Sequence, residues 1–308
     1  MGQRYGLIAG NGRFPVLALE TARQLGVEVV ALGISEEASK EIETLAAKTY
    51  WISLGALGKL IDICKSEGIT QLMMAGQVKH VNIFSNIAPD WRLAKLLFTL
   101  KEKNTEALIG GVAKILADEG ITLLDSTLLL KPLLAGAGVL TKRKPNADEE
   151  KEIRYGRNIA NALAGFDVGQ SVVICDRACV AVEAMEGTDA MLRRAASLVN
   201  GRPMRLVKSS RRRQHMLWDV PVAGLQTIDV MRETNTTILA CDAGRTLFLD
   251  KDELIAKANE YGLCIVGHPP WRNPHHETTR CRSRRRRLRP PPHARPEDAR
   301  YRRTHRRL

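Results

Sequence analysis

The sequence predicts an α/β protein with a doubly wound parallel sheet in its first part and a mixed α/β domain in its second. Three observations support this. Short apolar runs alternate with helical periodicity through the first 125 residues. Residues 131–147 are rich in glycine, proline and basic side chains, as a domain junction is. Beyond them, two adjacent apolar runs are typical of an antiparallel pair.

In the first part, every predicted strand is short and is followed by a helical pattern. The first strand ends in Gly10-Asn11-Gly12, and the helix that follows buries Val16 and Leu19 on one face. Further helices are predicted over 57–64 and 91–101. The predicted strands cover residues 5–9, 27–32, 49–52, 69–75 and 121–124.

In the second part, strands and helices no longer alternate regularly, which favours a mixed sheet. The predicted elements are a helix over 148–163, a strand pair over 170–175 and 179–183, a helix over 191–198, a strand over 205–208, a further strand pair within 237–249, a helix over 251–261 and a strand over 264–266. We therefore predict an N-terminal domain over 1–130, a linker over 131–147, a C-terminal domain over 148–268 and a tail over 269–308.

The positive charge of the chain is concentrated in this tail. The whole chain carries +13, and residues 269–308 account for +11 of it through 14 arginines against three acids. Because the tail has few apolar residues, we expect it to be disordered. It is either a polybasic arm or a non-native extension, and its all-arginine usage favours the second. The remaining chain is nearly neutral, so we expect no specific nucleic-acid partner.

The six cysteines are too sparse for a disulfide framework, and no two pairs have zinc-ligand spacing. Cys64, Cys175 and Cys264 lie in apolar runs and are expected to be reduced core residues. The chain starts directly with a strand and has no apolar run of about 18 residues. We expect a cytoplasmic protein.

Two loops are predicted at the carboxyl edge of the parallel sheet, where phosphates bind. One is Gly10-Asn11-Gly12, and the other is Gly76-Gln77-Val78 after the fourth strand. Pro15 replaces the third glycine of a dinucleotide fingerprint, which argues against NAD. Each loop therefore predicts either a site for a phosphate-containing ligand or a plain turn.

A carboxylate cluster follows the predicted strand at 179–183. Glu183 and Glu186 are oxygen ligands of the kind that Mg²⁺ prefers. Thr188 is a candidate helix N-cap, and Asp189 in the first turn suits the helix dipole. The cluster thus indicates either a metal or ligand site or ordinary capping.

Asp219 is the only acid between Asp189 and Asp229, and it follows Arg211, Arg212 and Arg213. Such a carboxylate can hold a metal or orient water beside an anionic substrate. It can equally be a loop residue that neutralises its neighbours.

Four segments, in this order, resemble the LpxI family: GLIAGNGRFP, MAGQV, VVICDRACVAVEAMEGTDAML and WDVPVAGLQTI. The resemblance covers about residues 4–267. It implies a UDP-2,3-diacylglucosamine pyrophosphatase of lipid A biosynthesis, which attacks the α-phosphate with water and releases lipid X and UMP. It also implies a Rossmann-like N-terminal domain, a separate C-terminal domain, a dimer, a divalent cation (Mg²⁺ or Mn²⁺) and peripheral contact with the inner face of the inner membrane.

The resemblance gives the loops and the carboxylate cluster a common ligand. Asp219 is the best match to the essential aspartate of the family. Glu183, Glu186 and Asp219 are then expected at a metal ion. The residues expected to bind substrate are Gly10, Asn11, Gly12, Gly76, Gln77, Val78, Gly187, Thr188, Asp189, Lys208 and Arg211.

The chain departs from the family beside Asp219. It reads VKSSRRRQHMLWDVP where members typically read VKVAKPxQDMRxDVP, so that Arg211 stands at a lysine position and His215 at an aspartate position. Imidazole is a poor substitute for a hard oxygen ligand. The alternative hypothesis is therefore a nucleotide-sugar or lipid-binding protein of the same fold with impaired catalysis.

Overall fold

The computed structural model describes residues 4–78, 88–100, 105–166, 168–210, 216–217 and 220–270. Its first sheet is fully parallel and has the strand order β3-β2-β1-β4-β5. The chain runs outward from β1 in one direction and then returns to its other side, which is the doubly wound arrangement. The strands are β1 (Arg4–Ala9), β2 (Glu28–Ile34), β3 (Lys48–Ile52), β4 (Gln71–Ala75) and β5 (Thr122–Leu123).

Helices cover both faces of this sheet, because side chains of each buried strand alternate between the faces. In β1, Leu7 and Ala9 join one apolar cluster, whereas Ile8 joins the other. The first cluster contains α1 and α2, and the second contains α3, α4 and α5. Their bounds are α1 (Arg13–Gln24), α2 (Ile42–Leu45), α3 (Leu57–Ser66), α4 (Trp91–Thr99) and α5 (Thr105–Asp118).

The second sheet is mixed and has the order β6-β13-β11-β9-β7-β8. Its three central strands β13, β11 and β9 are parallel, while the flanking strands run antiparallel to their neighbours. Two further strands, β10 and β12, form a small parallel sheet of their own. The bounds are β6 (Gly138–Val139), β7 (Ser171–Cys175), β8 (Ala178–Val182), β9 (Met204–Lys208), β10 (Val222–Ala223), β11 (Thr236–Asp242), β12 (Leu247–Phe248) and β13 (Cys264–His268).

Four helices pack on the second sheet. On one face lies α6, which begins with a capping box in which Asn146 and Glu149 bond each other's backbone N–H groups. The other three helices lie on the opposite face and share a cluster with Leu206 and Leu239 of the sheet. The bounds are α6 (Ala147–Ala164), α7 (Thr188–Val199), α8 (Leu225–Glu233) and α9 (Lys251–Glu260).

The predicted fold class is confirmed, and the five strands predicted in the first half all occur. One pairing is wrong. Strands do form within 237–249, but β11 pairs with β9 and β13, whereas β12 pairs with β10. Periodicity locates an apolar strand but not its partner, which depends on contacts that are distant in sequence. The pattern also missed α8 and the two-residue strands β6 and β10. The predicted domain boundaries stay a prediction.

The two halves of the chain are joined by an apolar contact between the small sheet and the first sheet. Leu247 of β12 is fully buried and packs in the core cluster of the first sheet, and partly buried Val222 and Leu249 pack against the same cluster. Lys251 Nζ donates to the carbonyls of Pro132 and Leu134 at 2.8 Å each. The carboxyl half of the chain thus completes the core of the amino half.

The expected core cysteines are confirmed, since Cys64, Cys175 and Cys264 are buried free thiols. Burial raises the pKa of Cys64 to about 11 and that of the fully buried Cys241 to about 12, so both remain protonated at neutral pH. In the part of the chain that the structure describes, no helix has the length and apolarity needed to span a bilayer. The predicted disordered tail lies outside the described residues apart from Pro269 and Pro270.

Candidate active site

The two predicted loops meet at the carboxyl edge of the first sheet, between β1 and β4. Asn11 and Gln77 exchange backbone hydrogen bonds, with N–O distances of 2.7 Å from Asn11 N to Gln77 O and 3.0 Å in return. Gly10 N also donates to Ala75 O at 2.8 Å. The chain reverses its direction across the sheet at this point, and such switch points form the crevices in which α/β proteins bind ligands.

This meeting of the loops requires glycine on both sides. A Cβ atom on Gly76 would lie 2.6 Å from the Asn11 oxygen, and one on Gly10 would lie 2.7 Å from the Gln77 oxygen. Gly76 also has a φ of 90°, which L-residues with a side chain rarely adopt. The two glycines therefore explain why the backbones can approach so closely.

The amino end of α1 faces the same edge. Its N-cap is Gly12, no side chain caps it, and no acid lies in its first turn. Its N–H groups and positive dipole end are thus available for an anion. Glu37, a buried carboxylate beyond the end of β2, accepts a 3.4 Å hydrogen bond from Asn11 Nδ2. Sequence reasoning missed Glu37, although its position just after a buried strand was a usable signal.

A second polar network lies at the carboxyl end of β9. Lys208 is only 8% exposed, and its ammonium donates to Thr188 Oγ1 at 3.0 Å and to Ser171 Oγ at 3.3 Å. Thr188 in turn donates to Glu183 Oε1 at 2.7 Å. Within the described part of the chain, Lys208 forms no ion pair closer than 4 Å, and its hydrogen-bond partners are neutral hydroxyls. A buried cation without a direct counter-ion attracts an anionic ligand.

The prediction that Thr188 caps α7 is wrong. The N-cap is Gly187, with a φ of 82°, and no side chain caps this helix. Thr188 is the first helical residue, and its hydroxyl is committed to Lys208 and Glu183 instead. Asp189 does lie in the first turn, where it accepts a 3.0 Å hydrogen bond from Thr227 Oγ1. The uncapped N–H groups of α7 therefore lie beside the buried lysine.

Glu186 is already engaged by donors. It accepts hydrogen bonds of 3.0 Å from Ala184 N and from Arg194 Nη2. The hydrogen bond from its own backbone N–H, followed by that from Arg194, lowers the pKa of Glu186, so that it stays ionised at neutral pH. Among the residues described, no three His, Cys, Asp or Glu side chains are grouped as metal ligands. The metal role of Glu183 and Glu186 stays a prediction.

Asp219, Arg211 and His215 lie outside the described residues, but close neighbours of Asp219 in the chain do not. Leu217 O accepts a 2.6 Å hydrogen bond from Ser126 Oγ, beyond the carboxyl end of β5. Pro221 O accepts one of 2.8 Å from Leu247 N. The chain on both sides of Asp219 is thus attached near the first sheet, at the junction of the two halves.

Models of two known protein domains match almost all of residues 4–266. The model for the LpxI N-terminal domain matches residues 4–133, and the model for the LpxI C-terminal domain matches residues 136–266. The chain belongs to the LpxI family. The order and continuity of the two matches agree with the two sheets of the fold.

A curated LpxI relative spans the chain. The UDP-2,3-diacylglucosamine pyrophosphatase LpxI of Caulobacter vibrioides is 29% identical over 282 residues, which are 88% of this chain and 100% of that protein. The similarity of this LpxI-family chain to that enzyme therefore includes both halves.

Solved structures are matched only distantly. The biotin carboxylase domain of the Hydrogenobacter thermophilus 2-oxoglutarate carboxylase has 13% identity and a TM-score of 0.26, and the match covers 64% of this chain and 41% of that one. The N5-carboxyaminoimidazole ribonucleotide synthetase of Thermotoga maritima has 14% identity and the same TM-score, over 56% and 34%. Each match spans less than half of the other protein, and scores this low carry no argument about this LpxI-family fold.

Gly76→Ala tests the contact between the two loops. The new methyl group must clash with the Asn11 carbonyl besides straining the backbone. The matched control is Gly68→Ala, which also has a positive φ but nothing within 4 Å of its Cβ. We expect Gly76→Ala to lower the free energy of unfolding by about 1–3 kcal/mol more than the control does. Urea unfolding measures both values, and equal losses would contradict the close approach.

Proposed function

We propose that the protein hydrolyses UDP-2,3-diacylglucosamine in lipid A biosynthesis. Water attacks the α-phosphorus, and the bond from that phosphorus to the bridging oxygen breaks. The water oxygen remains on UMP, and the bridging oxygen leaves with lipid X (2,3-diacylglucosamine 1-phosphate). Both protons of the water are released to solvent at neutral pH, because the second pKa of each phosphate monoester product is about 6. No oxidant or second substrate is needed.

One observation carries this proposal: the similarity to LpxI proteins is continuous through both halves of the chain. Residues 4–133 and 136–266 match the two LpxI domain models in order. The relative that acts on UDP-2,3-diacylglucosamine is covered over its full length. A fold alone would not support a substrate, because one fold hosts many activities. The polar groups at the two sheet edges supply the independent chemical support.

The buried Lys208 suits a pyrophosphate substrate. Attack on a phosphate diester requires that charge on the non-bridging oxygens be neutralised. The ammonium of Lys208 already lies in a desolvated place, oriented by Thr188 and Ser171. Glu183 accepts the hydrogen bond from the Thr188 hydroxyl, which leaves the lone pairs of that oxygen to accept from the lysine. We assign Lys208 to the phosphates, together with the N–H groups of Gly187, Thr188 and Asp189.

The loops at the first sheet suit the same ligand. The amino end of α1 and the backbone N–H of Gly12 offer donors to a phosphate, whereas the N–H groups of Gly10 and Asn11 are bonded to Ala75 O and Gln77 O. Gly76, Gln77 and Val78 line the other side of the switch point. Arg211 stands at a lysine position of the family and is assigned to substrate charge, although its geometry differs from lysine's.

Asp219 is assigned to water orientation or metal binding. Support comes from its neighbours: Leu217 is bonded to Ser126 and Pro221 to Leu247, both at the junction of the halves. A carboxylate beside the phosphates can align water for attack in line with the leaving group. The two roles are distinguished by the metal dependence of an Asp219 variant.

We also propose that the enzyme uses Mg²⁺ or Mn²⁺. The described carboxylates do not form a metal cage by themselves, since Glu186 is paired with Arg194 and Glu183 bonds Thr188. Asp219 and the substrate phosphates would supply oxygen ligands, and Glu183 has a second oxygen to offer. Mg²⁺ is commonly held by one or two carboxylates and by phosphate oxygens. When bound, the cation neutralises charge on the phosphates.

The substrate determines where the enzyme acts. A diacylated sugar nucleotide is held in a membrane by its acyl chains, while its UDP group faces water. We therefore propose a cytoplasmic enzyme that contacts the inner face of the inner membrane peripherally, and from the resemblance to the LpxI family we propose a homodimer. Vesicle flotation and sedimentation equilibrium test these two statements separately.

A second candidate function is binding of the same ligand without efficient turnover. The specific observation is that His215 and Arg211 replace residues that the family typically has beside Asp219. An imidazole supplies neither the charge nor the hard oxygen of a carboxylate.

Asp219→Ala should abolish turnover and retain substrate binding. The purified protein is incubated with UDP-2,3-diacylglucosamine in ¹⁸O-labelled water with Mg²⁺ or Mn²⁺, and mass spectrometry follows lipid X and UMP. The label should enter UMP alone, and EDTA should stop the reaction. Removing a catalytic carboxylate should cost about 10²–10⁴-fold in rate. An unchanged rate in Asp219→Ala removes this residue from the mechanism, and label in lipid X contradicts attack at the α-phosphate.

Lys208→Met should lower kcat/KM while preserving the fold. The substitution removes the charge and keeps much of the buried volume. Losing one stabilising donor at a reacting phosphate should cost about 10²–10³-fold. The control is Lys257→Met, whose ammonium pairs with Asp229 away from both loops. Thermal melting verifies the fold, and a folded Lys208→Met protein with full activity would exclude the lysine from phosphate binding.

His215→Asp decides between the two candidate functions. If catalysis is impaired by the departure at this position, restoring the carboxylate should raise kcat by about 10-fold or more, since general acid–base groups contribute that much. If the wild-type protein is already a competent hydrolase, kcat should change little. Steady-state kinetics with the same substrate measure the difference, and equal, negligible rates in both proteins would contradict the hydrolase proposal.

A further inference from the structure

Ser126 holds two successive carbonyls of the chain just before Asp219. It is only 3% exposed. Its backbone N donates to Met216 O at 2.8 Å, and its Oγ donates to Leu217 O at 2.6 Å. A turn fixes Ser126 itself, because Asp125 Oδ1 accepts from both the N and the Oγ1 of Thr127 at 2.7 Å each. Ser126 of the first half is thus hydrogen-bonded to Met216 and Leu217 of the second half.

Asp242 holds the chain at Ser210, seven residues before Leu217. Its Oδ2 accepts from both the N and the Oγ of Ser210, at 2.8 and 2.7 Å. Its Oδ1 accepts from Arg157 Nη2 at 3.1 Å. Asp242 is 1% exposed and ends the central strand β11. A buried carboxylate with these partners is a strong acceptor, so Ser210 is firmly attached to the second sheet.

We propose that Ser126 and Asp242 are positioning residues for the reaction: Ser126 fixes residues 216–217 and Asp242 fixes residue 210, all of which precede Asp219 in the chain. This inference rests on the function proposed above. Neither residue contacts the phosphates in this role. Ser126 holds residues 216–217 from the first half of the chain, and Asp242 holds residue 210 from the end of β11 in the second half.

The physical reason is the sensitivity of catalysis to small displacements. A misplacement of about 1 Å can cost on the order of 10²-fold in rate. Pro221 O is bonded to Leu247 N on the far side of Asp219. With Leu217 held by Ser126, only two residues separate Leu217 from Val220. Loss of the Ser126 hydroxyl removes the hydrogen bond to Leu217 O and should lower the rate more than the substrate affinity.

Ser126→Ala is the principal test. We expect kcat to fall by about 10- to 100-fold while KM stays within about twofold, since substrate contacts remain. Ser126→Thr keeps the hydroxyl and should recover most of the loss. Ser210→Ala removes the Oγ donor but keeps the N–H, so it should reduce kcat without unfolding the protein. The control is Ser66→Ala, whose hydroxyl bonds the carbonyl of Ile63 at the end of α3 and should leave kcat unchanged.

Amide hydrogen exchange provides a readout that needs no turnover. Exchange in peptides covering residues 216–222 should be faster in Ser126→Ala than in the wild type and unchanged in Ser66→Ala. Unchanged exchange, or faster exchange with an unchanged kcat, overturns the positioning role. If the wild-type protein forms no UMP, the proposed function fails. In that case faster exchange in Ser126→Ala still supports the conclusion that Ser126 holds residues 216–217, and unchanged exchange rejects it.

Discussion

The burial of Leu247 in the core of the first sheet is the contact on which the rest of the molecule depends. The candidate site uses loops from one half and a lysine network from the other, so the halves need a fixed relation. Burying one leucine contributes roughly 1.5–3 kcal/mol, and Leu247 is fully buried among residues of β1, α1 and β4. Its backbone also bonds Pro221 and forms a bridge with Leu134.

Positive charge at the candidate site comes from two different kinds of group. In the first half it is backbone: the uncapped end of α1 follows a loop that only glycine permits. In the second half it is a side chain, Lys208, whose desolvation is compensated by hydroxyls rather than by a carboxylate. A direct ion pair would have neutralised the lysine and reduced its attraction for phosphate. The hydroxyl between Lys208 and Glu183 keeps the lysine oriented without cancelling its charge.

Local patterns predicted the parts of the fold that depend on local chemistry. The glycines at positions 10, 12 and 76 and the apolar runs predicted the loops and strands, because turns and burial act on neighbouring residues. The partner of β12 was not predictable, since Leu247-Phe248 and residues 222–223 are short and unremarkable in composition. Lys208 was predicted as a ligand residue only through the family resemblance. Its burial with Thr188 and Ser171 depends on three separate elements, and no spacing in the sequence encodes it. Ser126 was missed for the same reason.

The buried position of Leu247 in the first apolar cluster also has a consequence for the order of folding during synthesis. The chain emerges from its amino end, and the first sheet is complete once β5 has been made. Its apolar cluster, however, lacks Leu247 and Leu249 until more than 100 further residues have been added. A nascent first half therefore exposes an apolar surface that invites association with other chains. The contact that unites the two halves in the finished protein is thus the one whose absence leaves the early chain open to association.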